Sequence, residues 1–84
     1  MDDEHKALLA SLHALEDAER ERADLMRKQH ALIGQMLRAD SDDEFDDLVW
    51  QRARVGESVA QAELRVRAQT ARLLEAVEAL RARR

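Results

Sequence analysis

The chain of 84 residues contains no cysteine and no proline, and it has only two glycines, one phenylalanine and one tryptophan. Without cysteine, the chain can form neither a disulfide framework nor a thiolate metal site. Without proline, no residue removes a backbone donor from the interior of a helix. The chain also lacks a run of about 18 apolar residues, which a membrane-spanning helix would need. These absences exclude a disulfide scaffold and predict that no membrane is among its partners.

Alanine, leucine, arginine and glutamate dominate the chain, which is the composition typical of long helices and coiled coils. The length limits the chain to one small domain, residues 1–84. The sequence begins Met-Asp-Asp-Glu, whereas a secretory signal begins with basic residues and continues with apolar ones. We therefore expect a single domain located in the cytoplasm.

Charge is distributed unevenly along the chain. Residues 1–47 carry 14 acidic and six basic side chains, a net charge of −8, whereas residues 48–84 carry four acidic and eight basic ones, a net charge of +4. The acidic half argues against general binding to a phosphate backbone. Phe45 and Trp50, which could stack on bases, lie beside the acidic run and not among the arginines. We therefore expect no nucleic-acid partner, and we interpret the basic segment as a complement to the acidic one.

Two segments have the periodicity of amphipathic helices, and no proline interrupts either of them. Apolar residues spaced by multiples of three and four predict one buried stripe in the first segment. In the second segment, a 4-3 heptad spacing extends over five repeats, as in a coiled coil. The predicted stripe of the first segment is Leu8, Leu12, Leu15, Met26, Ile33 and Leu37. The predicted stripe of the second segment is Phe45, Val49, Arg52, Gly56, Val59, Glu63, Val66, Thr70, Leu73, Val77 and Leu80.

Six of the eight residues from 40 to 47 are acidic. Ser41 and Glu44 have the S-x-x-E spacing of a capping box, in which each side chain accepts a hydrogen bond from a backbone N–H at the start of a helix. The neighbouring acids would then lie in the first turns, where the helix dipole favours negative charge. A calcium loop counted from Asp40 would need glycine and glutamate where Phe45 and Gln51 stand. The acidic run therefore predicts a helix start and not a calcium site.

The fold class predicted from these features is all-α, an antiparallel two-helix coiled-coil hairpin. Helix 1 spans about residues 3–38, the turn 39–41 and helix 2 about 42–82, and a connection this short makes the helices antiparallel neighbours. The stripes predict a register that pairs Leu37 with Phe45, Ile33 with Val49, Met26 with Gly56, and Leu15 with Val66. In that register, acidic side chains lie beside basic ones at the open end. They are Asp2, Asp3 and Glu4 on helix 1, with Arg81, Arg83 and Arg84 on helix 2.

Some apolar residues lie outside the stripe that a two-helix hairpin buries. Trp50 lies about 180° around helix 2 from Val59, and tryptophan is enriched at the energetically dominant positions of interfaces. Alanines on the same helix would let another helix approach closely. We predict that a second copy of the chain or a different protein covers these residues and completes a four-helix bundle. The predicted partner-binding residues are Leu25, Leu32, Met36, Trp50, Ala53, Ala60 and Leu64.

Motifs for chemistry are missing from the sequence. His13 and Asp17 share a helical face, but two ligands are too few for a metal site. Gly34 and Gly56 are isolated, so no glycine-rich loop can hold a phosphate. We therefore predict no catalytic residue, no metal, no cofactor and no enzymatic activity.

Residues 45–62 read FDDLVWQRARVGESVAQA. Phe45 follows a polar turn, a tryptophan segment occupies residues 49–52, and Glu57 and Ser58 form a later polar pair. This pattern resembles the second helix of the YscE-like small co-chaperones of bacterial type III secretion. The resemblance covers residues 45–62 alone.

The resemblance implies a non-catalytic helical hairpin in the bacterial cytoplasm. Such a hairpin pairs with a tetratricopeptide-like chaperone, and the two proteins hold the needle subunit soluble and monomeric until export. The alternative is a coiled-coil adaptor or scaffold, unrelated to secretion, that associates with itself as a homodimer.

Overall fold

The computed structural model describes residues 3–83, which form two long α-helices joined by a short turn. Helix α1 spans Asp3–Leu37 and helix α2 spans Asp42–Ala82. The helices pack side by side along their length, and the hairpin measures 64 × 17 × 13 Å. The predicted all-α antiparallel hairpin is therefore confirmed. Helix α1 ends one residue before the predicted boundary, and α2 has the predicted bounds.

Hydrogen bonds at the turn stop one helix and start the next. The Arg38 and Ala39 N–H groups donate to the Gln35 and Met36 carbonyls, at 3.1 and 3.3 Å, and so satisfy acceptors that the end of α1 leaves open. Ser41 has an extended backbone, and its hydroxyl accepts from the Glu44 N–H at 3.1 Å, as the capping box predicts.

The reciprocal half of the capping box differs from the prediction. The Glu44 carboxylate accepts from the N–H of Asp40 at 3.2 Å, one residue before the expected donor, Ser41. Because the carboxylate still binds a backbone donor just before the helix, it fixes the path of the turn into α2.

We expect Ser41→Ala to lower the free energy of unfolding by about 1 kcal/mol, because the Glu44 N–H loses its acceptor. For a domain of this size the melting temperature should fall by roughly 4–8 °C. Ser58→Ala is the matched control in a thermal melt, since the Ser58 hydroxyl only donates to the Arg54 carbonyl within α2. Equal losses in the two variants would contradict the capping role of Ser41.

The buried seam between the helices follows a heptad spacing. Leu48, Val55 and Ala62 are buried at intervals of seven residues on α2, and Ala18 and Leu32 are buried fourteen residues apart on α1. Half-buried residues occupy the other positions of the seam, which lie alternately three and four residues apart. They are Leu8, Ser11, Leu15, Arg22, Leu25, Gln29 and Met36 on α1, and Val59, Val66, Gln69, Leu73, Ala76 and Leu80 on α2.

The predicted stripe of α2 was right in part: Phe45 and Arg52, near the turn, are exposed, and so are Val49, Glu63 and Thr70. Val59, Val66, Leu73 and Leu80 lie in the seam, as predicted. The alternate positions are displaced by one residue, because Leu48 is buried while Val49 stays 40% exposed. As a result, Val55 and Ala62 are buried in the seam where the prediction placed Gly56 and Glu63.

The predicted stripe of α1 also needs correction. Leu8 and Leu15 lie in the seam, but Met26 and Leu37 are exposed. Leu32 is buried instead, in one cluster with Leu48 and Val55, and Met36 packs against that cluster. The core is therefore densest near the turn.

The helices are also shifted by about one turn from the predicted register. The open space beside Gly56 is bounded by the Gln29 side chain, three residues along α1 from the predicted partner, Met26. At the open end, Glu4 forms an ion pair with Arg83, which confirms the predicted meeting of opposite charges there. Asp2 and Arg84 lie outside the described residues.

Candidate partner-binding face

One long face of the hairpin is polar. Its position is marked by the ion pair between Glu21 of α1 and Arg65 of α2, at 2.6 Å. Residues seven or fourteen positions from this pair, such as Lys28 and Gln51, lie along the same edge. This polar face consists of residues 7, 10, 14, 17, 21, 24, 28, 31 and 35 of α1 and residues 47, 51, 54, 58, 61, 65, 68, 72, 75 and 79 of α2.

A shallow cavity of about 210 Å³ opens on the polar face. Its walls are Lys28, Gln51 and Arg54, and its floor is formed by Leu32 and Val55 of the seam. Small-molecule sites usually have volumes of about 300–1,000 Å³ and several convergent polar groups. The cavity is therefore a gap between long side chains and not a developed ligand site.

The opposite face of the hairpin is apolar at both ends. On α1 its large side chains lie on the side of the seam away from Glu21, in two groups at residues 9–12 and 26–37. On α2 they lie on the side away from Arg65, together with small residues that keep the surface low. The apolar residues of this apolar face are Leu9, Leu12, Ala23, Met26, Ile33 and Leu37 on α1, and Phe45, Val49, Ala53, Gly56, Ala60, Leu74 and Val77 on α2. The same rows also contain the polar residues His5, Glu16, Glu19 and His30 on α1, and Glu63, Arg67, Thr70 and Arg81 on α2.

All large exposed hydrophobic side chains of the described residues lie on the apolar face or on the outer side of α2 next to it. Six belong to the apolar face, with Leu37 the most exposed at 84%. Trp50 and Leu64 lie on the outer side of α2, fourteen residues apart, and are 68% and 61% exposed. The polar face carries none of the large exposed hydrophobic side chains of residues 3–83. The six are Leu9, Met26, Leu37, Phe45, Val49 and Leu74.

The predicted partner-binding residues fall into two groups. Trp50, Ala53, Ala60 and Leu64 are exposed on α2, outside the seam, as predicted. Leu25, Leu32 and Met36 lie in the seam, so their predicted placement on an outer surface was wrong. The cause is the displaced stripe of α1, which put seam residues outside and outer residues in the seam.

The exposed residues that the prediction missed have a recognisable spacing. Leu74 lies 14 residues after Ala60, in the same heptad row as Ala53 and Ala60, so the sequence contained this signal. Met26 and Val49 could not be found in the same way, because each fits a buried stripe as well as an exposed one.

A group of carboxylates crosses the apolar face at mid-length. Glu16 and Glu19 of α1 and Glu63 of α2 are exposed, and none forms an ion pair within residues 3–83. Because Glu21 lies opposite Arg65, the three carboxylates fall within about 10 Å along the hairpin axis, at 1.5 Å per residue. We call Glu16, Glu19 and Glu63 the acidic belt. Arg67, also exposed, is the basic residue of the apolar face at this level, and Arg22 lies half-buried in the seam, three residues from Glu19.

Metal-binding groups are not assembled in the part of the chain that the structure describes. No three histidine, aspartate or glutamate side chains of residues 3–83 come together as possible ligands of one ion. Neither described helix has an apolar stretch long enough to cross a membrane.

Comparison with known proteins gives no relative for this chain. No model of a protein family matches it, and no curated protein or solved structure matches it either.

Proposed function

We propose that this protein is a non-catalytic interaction module that binds another protein through its apolar face and the adjoining outer side of α2. The observation that carries the proposal is the one-sided distribution of the large exposed hydrophobic side chains. A random scatter of such residues is ordinary on a soluble protein, whereas here they are concentrated at the two ends of one face and on the adjoining outer side of α2.

The small core supports the same proposal. Five residues of the described chain are buried hydrophobics, and of these only Ala62 is completely shielded from solvent. A two-helix hairpin leaves half of each helix surface in water, and small domains are marginally stable for this reason. A partner that covers the apolar face would supply the missing layer of a three- or four-helix bundle.

A type III secretion co-chaperone is the specific form that we propose. The hairpin architecture suits this role, and so does the exposure of Phe45 and Trp50, which carry the resemblance. In this role the hairpin would pair with a tetratricopeptide-like chaperone in the bacterial cytoplasm and help to keep a needle subunit soluble. The alternative is a self-associating coiled-coil adaptor, in which a second copy of the chain covers the same face.

The proposal is tested by site-specific photo-cross-linking in cells that express the protein natively. A photo-reactive amino acid replaces Leu64 in one variant and Gln61, on the polar face, in the control. Both positions are exposed on α2 and lie less than one turn apart. We expect a cross-linked protein from position 64 and much less of it from position 61.

The mass of the cross-linked product separates the two forms of the proposal. A product with a different protein supports the co-chaperone form, and a product of two copies of the chain supports the adaptor. Equal yields from positions 64 and 61, or none from either, would contradict an interaction through the apolar side of the hairpin.

A further inference from the structure

We propose that the seams of the two helices are set out of phase across the turn, and that this offset prevents two copies of the chain from exchanging helices in a closed dimer. In such a dimer the turn would open, and α1 of each copy would pack against α2 of the other. The offset lies in the seam and not on the apolar face, so the proposal is independent of the proposed function.

The turn contains no residue that obliges the chain to reverse. Residues 38–41 include neither glycine nor proline. Within residues 3–83, no backbone φ is positive. The turn is therefore held by its hydrogen bonds and by the packing of the seam, and its residues could continue a helix instead. A short turn of this kind makes helix exchange a hazard, because an opened chain can form the same seam contacts with a second copy.

The spacing of the buried residues across the turn opposes that exchange. Seam residues lie on the same side of one continuous helix when a multiple of seven residues, or eleven residues, separates them. Leu32 and Leu48 are buried in one cluster and are sixteen residues apart, two more than a multiple of seven. Ala18 and Ala62 are forty-four residues apart, which is again two more. Two residues turn a helix by about 200°, so a continuous helix would point its two seams in nearly opposite directions.

A closed dimer would need both seams of each opened chain to face the same neighbour, because a two-fold axis pairs α1 of either copy with α2 of the other. Seams that point in opposite directions do not meet this requirement. An opened chain with a helical turn would pack α1 against one neighbour and α2 against another, which gives an open-ended series of copies. The hairpin is therefore the smallest arrangement that completes both seams.

The test compares two shortened chains that have no turn and so cannot close into a hairpin. One lacks residues 38–41, and the other lacks residues 38–42. Leu32 and Leu48 are then twelve residues apart in the first chain and eleven in the second. The two chains differ only by Asp42, and only the second has its seams on one side of a continuous helix.

The readout is covalent and counts the copies in each assembly. Glu4→Cys and Arg83→Cys are introduced together, because these side chains form an ion pair at the open end of the hairpin. The chain has no cysteine of its own, so a short bismaleimide reagent joins only these two positions. Each shortened chain, and the chain with its turn, is unfolded by heat, cooled at high concentration, cross-linked and separated on a denaturing gel.

We expect a product of one copy from the chain with its turn. The chain that lacks residues 38–42 should give a product of two copies, and the chain that lacks residues 38–41 should give a ladder of longer products. A dimer formed through the apolar face would join the cysteines within each chain and would still give the one-copy product. The result is therefore distinct from that of the proposed function.

Three results would overturn the inference. A two-copy product with nothing longer, from the chain that lacks residues 38–41, would show that the offset permits a closed dimer. Any main product other than two copies, from the chain that lacks residues 38–42, would show that seams in phase do not close one. A two-copy product with nothing longer, from the chain with its turn, would show that the helices exchange despite the offset.

Discussion

Replacing Leu48 with alanine should lower the free energy of unfolding by about 2–4 kcal/mol, the range for deleting a buried leucine side chain. Leu48 is 7% exposed and lies in the cluster with Leu32 and Val55, next to the turn. Because the hairpin has few buried side chains, a cavity here removes a large part of its core. The expected result is a fall in melting temperature of more than about 10 °C, measured by circular dichroism.

Val49→Ala is the matched control for Leu48→Ala. Val49 is the next residue on the same helix, is 40% exposed and lies on the apolar face. Its replacement should change the free energy of unfolding by no more than about 0.5 kcal/mol, as is usual at a surface position. A larger loss in Val49→Ala than in Leu48→Ala would mean that the seam runs through the other row of residues.

Replacing Ala62 with leucine should destabilise the hairpin by about 1–3 kcal/mol, because a larger side chain does not fit where two helices approach closely. Ala62 has no exposed surface, and it lies at the middle of α2. Alanine and leucine both favour helices, so the change isolates packing from helix propensity. Urea unfolding should show a lower midpoint with an unchanged slope.

Ala60→Leu provides the comparison for Ala62→Leu. Ala60 lies two residues away on α2 and is exposed on the apolar face, so the added side chain remains in water. We expect a change in the free energy of unfolding of no more than about 0.5 kcal/mol. If Ala62→Leu were equally harmless, the helices would be free to separate at this level, and the close approach at mid-length would be excluded.

Binding of a partner would change the apparent stability of the hairpin. The exposed side chains of the apolar face add little to the free energy of folding while they remain in water. A partner that binds the folded hairpin alone raises the apparent stability by an amount set by its concentration relative to its Kd. Substitutions in the seam therefore act on folding, whereas substitutions at Trp50 or Leu64 should act on binding.

The local features of the fold could be predicted from the sequence. The start of α2 at Asp42 follows from Ser41 and Glu44, whose side chains bind backbone groups within a few residues. The antiparallel arrangement follows from the short connection. The exposure of Trp50 and Leu64 follows from their position far from either candidate seam of α2. Each of these depends on residues that are close in sequence.

The choice of seam could not be predicted in the same way. Leu48 and Val49 are both apolar and lie about 100° apart around the helix, so each fits a heptad row. Both rows of α2 share Val59, Val66 and Leu73, and the decision between them depends on the residues that α1 presents. The same ambiguity on α1 placed Leu32 and Met36 on the wrong side, and the partner-binding prediction was wrong at these residues as a result.

Two helices, their bounds to within a residue, the cap at Ser41 and the meeting of opposite charges at Glu4 and Arg83 could all be predicted from the order of the residues. These properties arise from backbone periodicity, local hydrogen bonds and chain connectivity. Which apolar row became the seam, the shift of about one turn between the helices, and the apolar face left uncovered depended on how the two helices pack together. A seam is a joint property of two surfaces, because it is selected by how well the side chains of both helices fill the space between them.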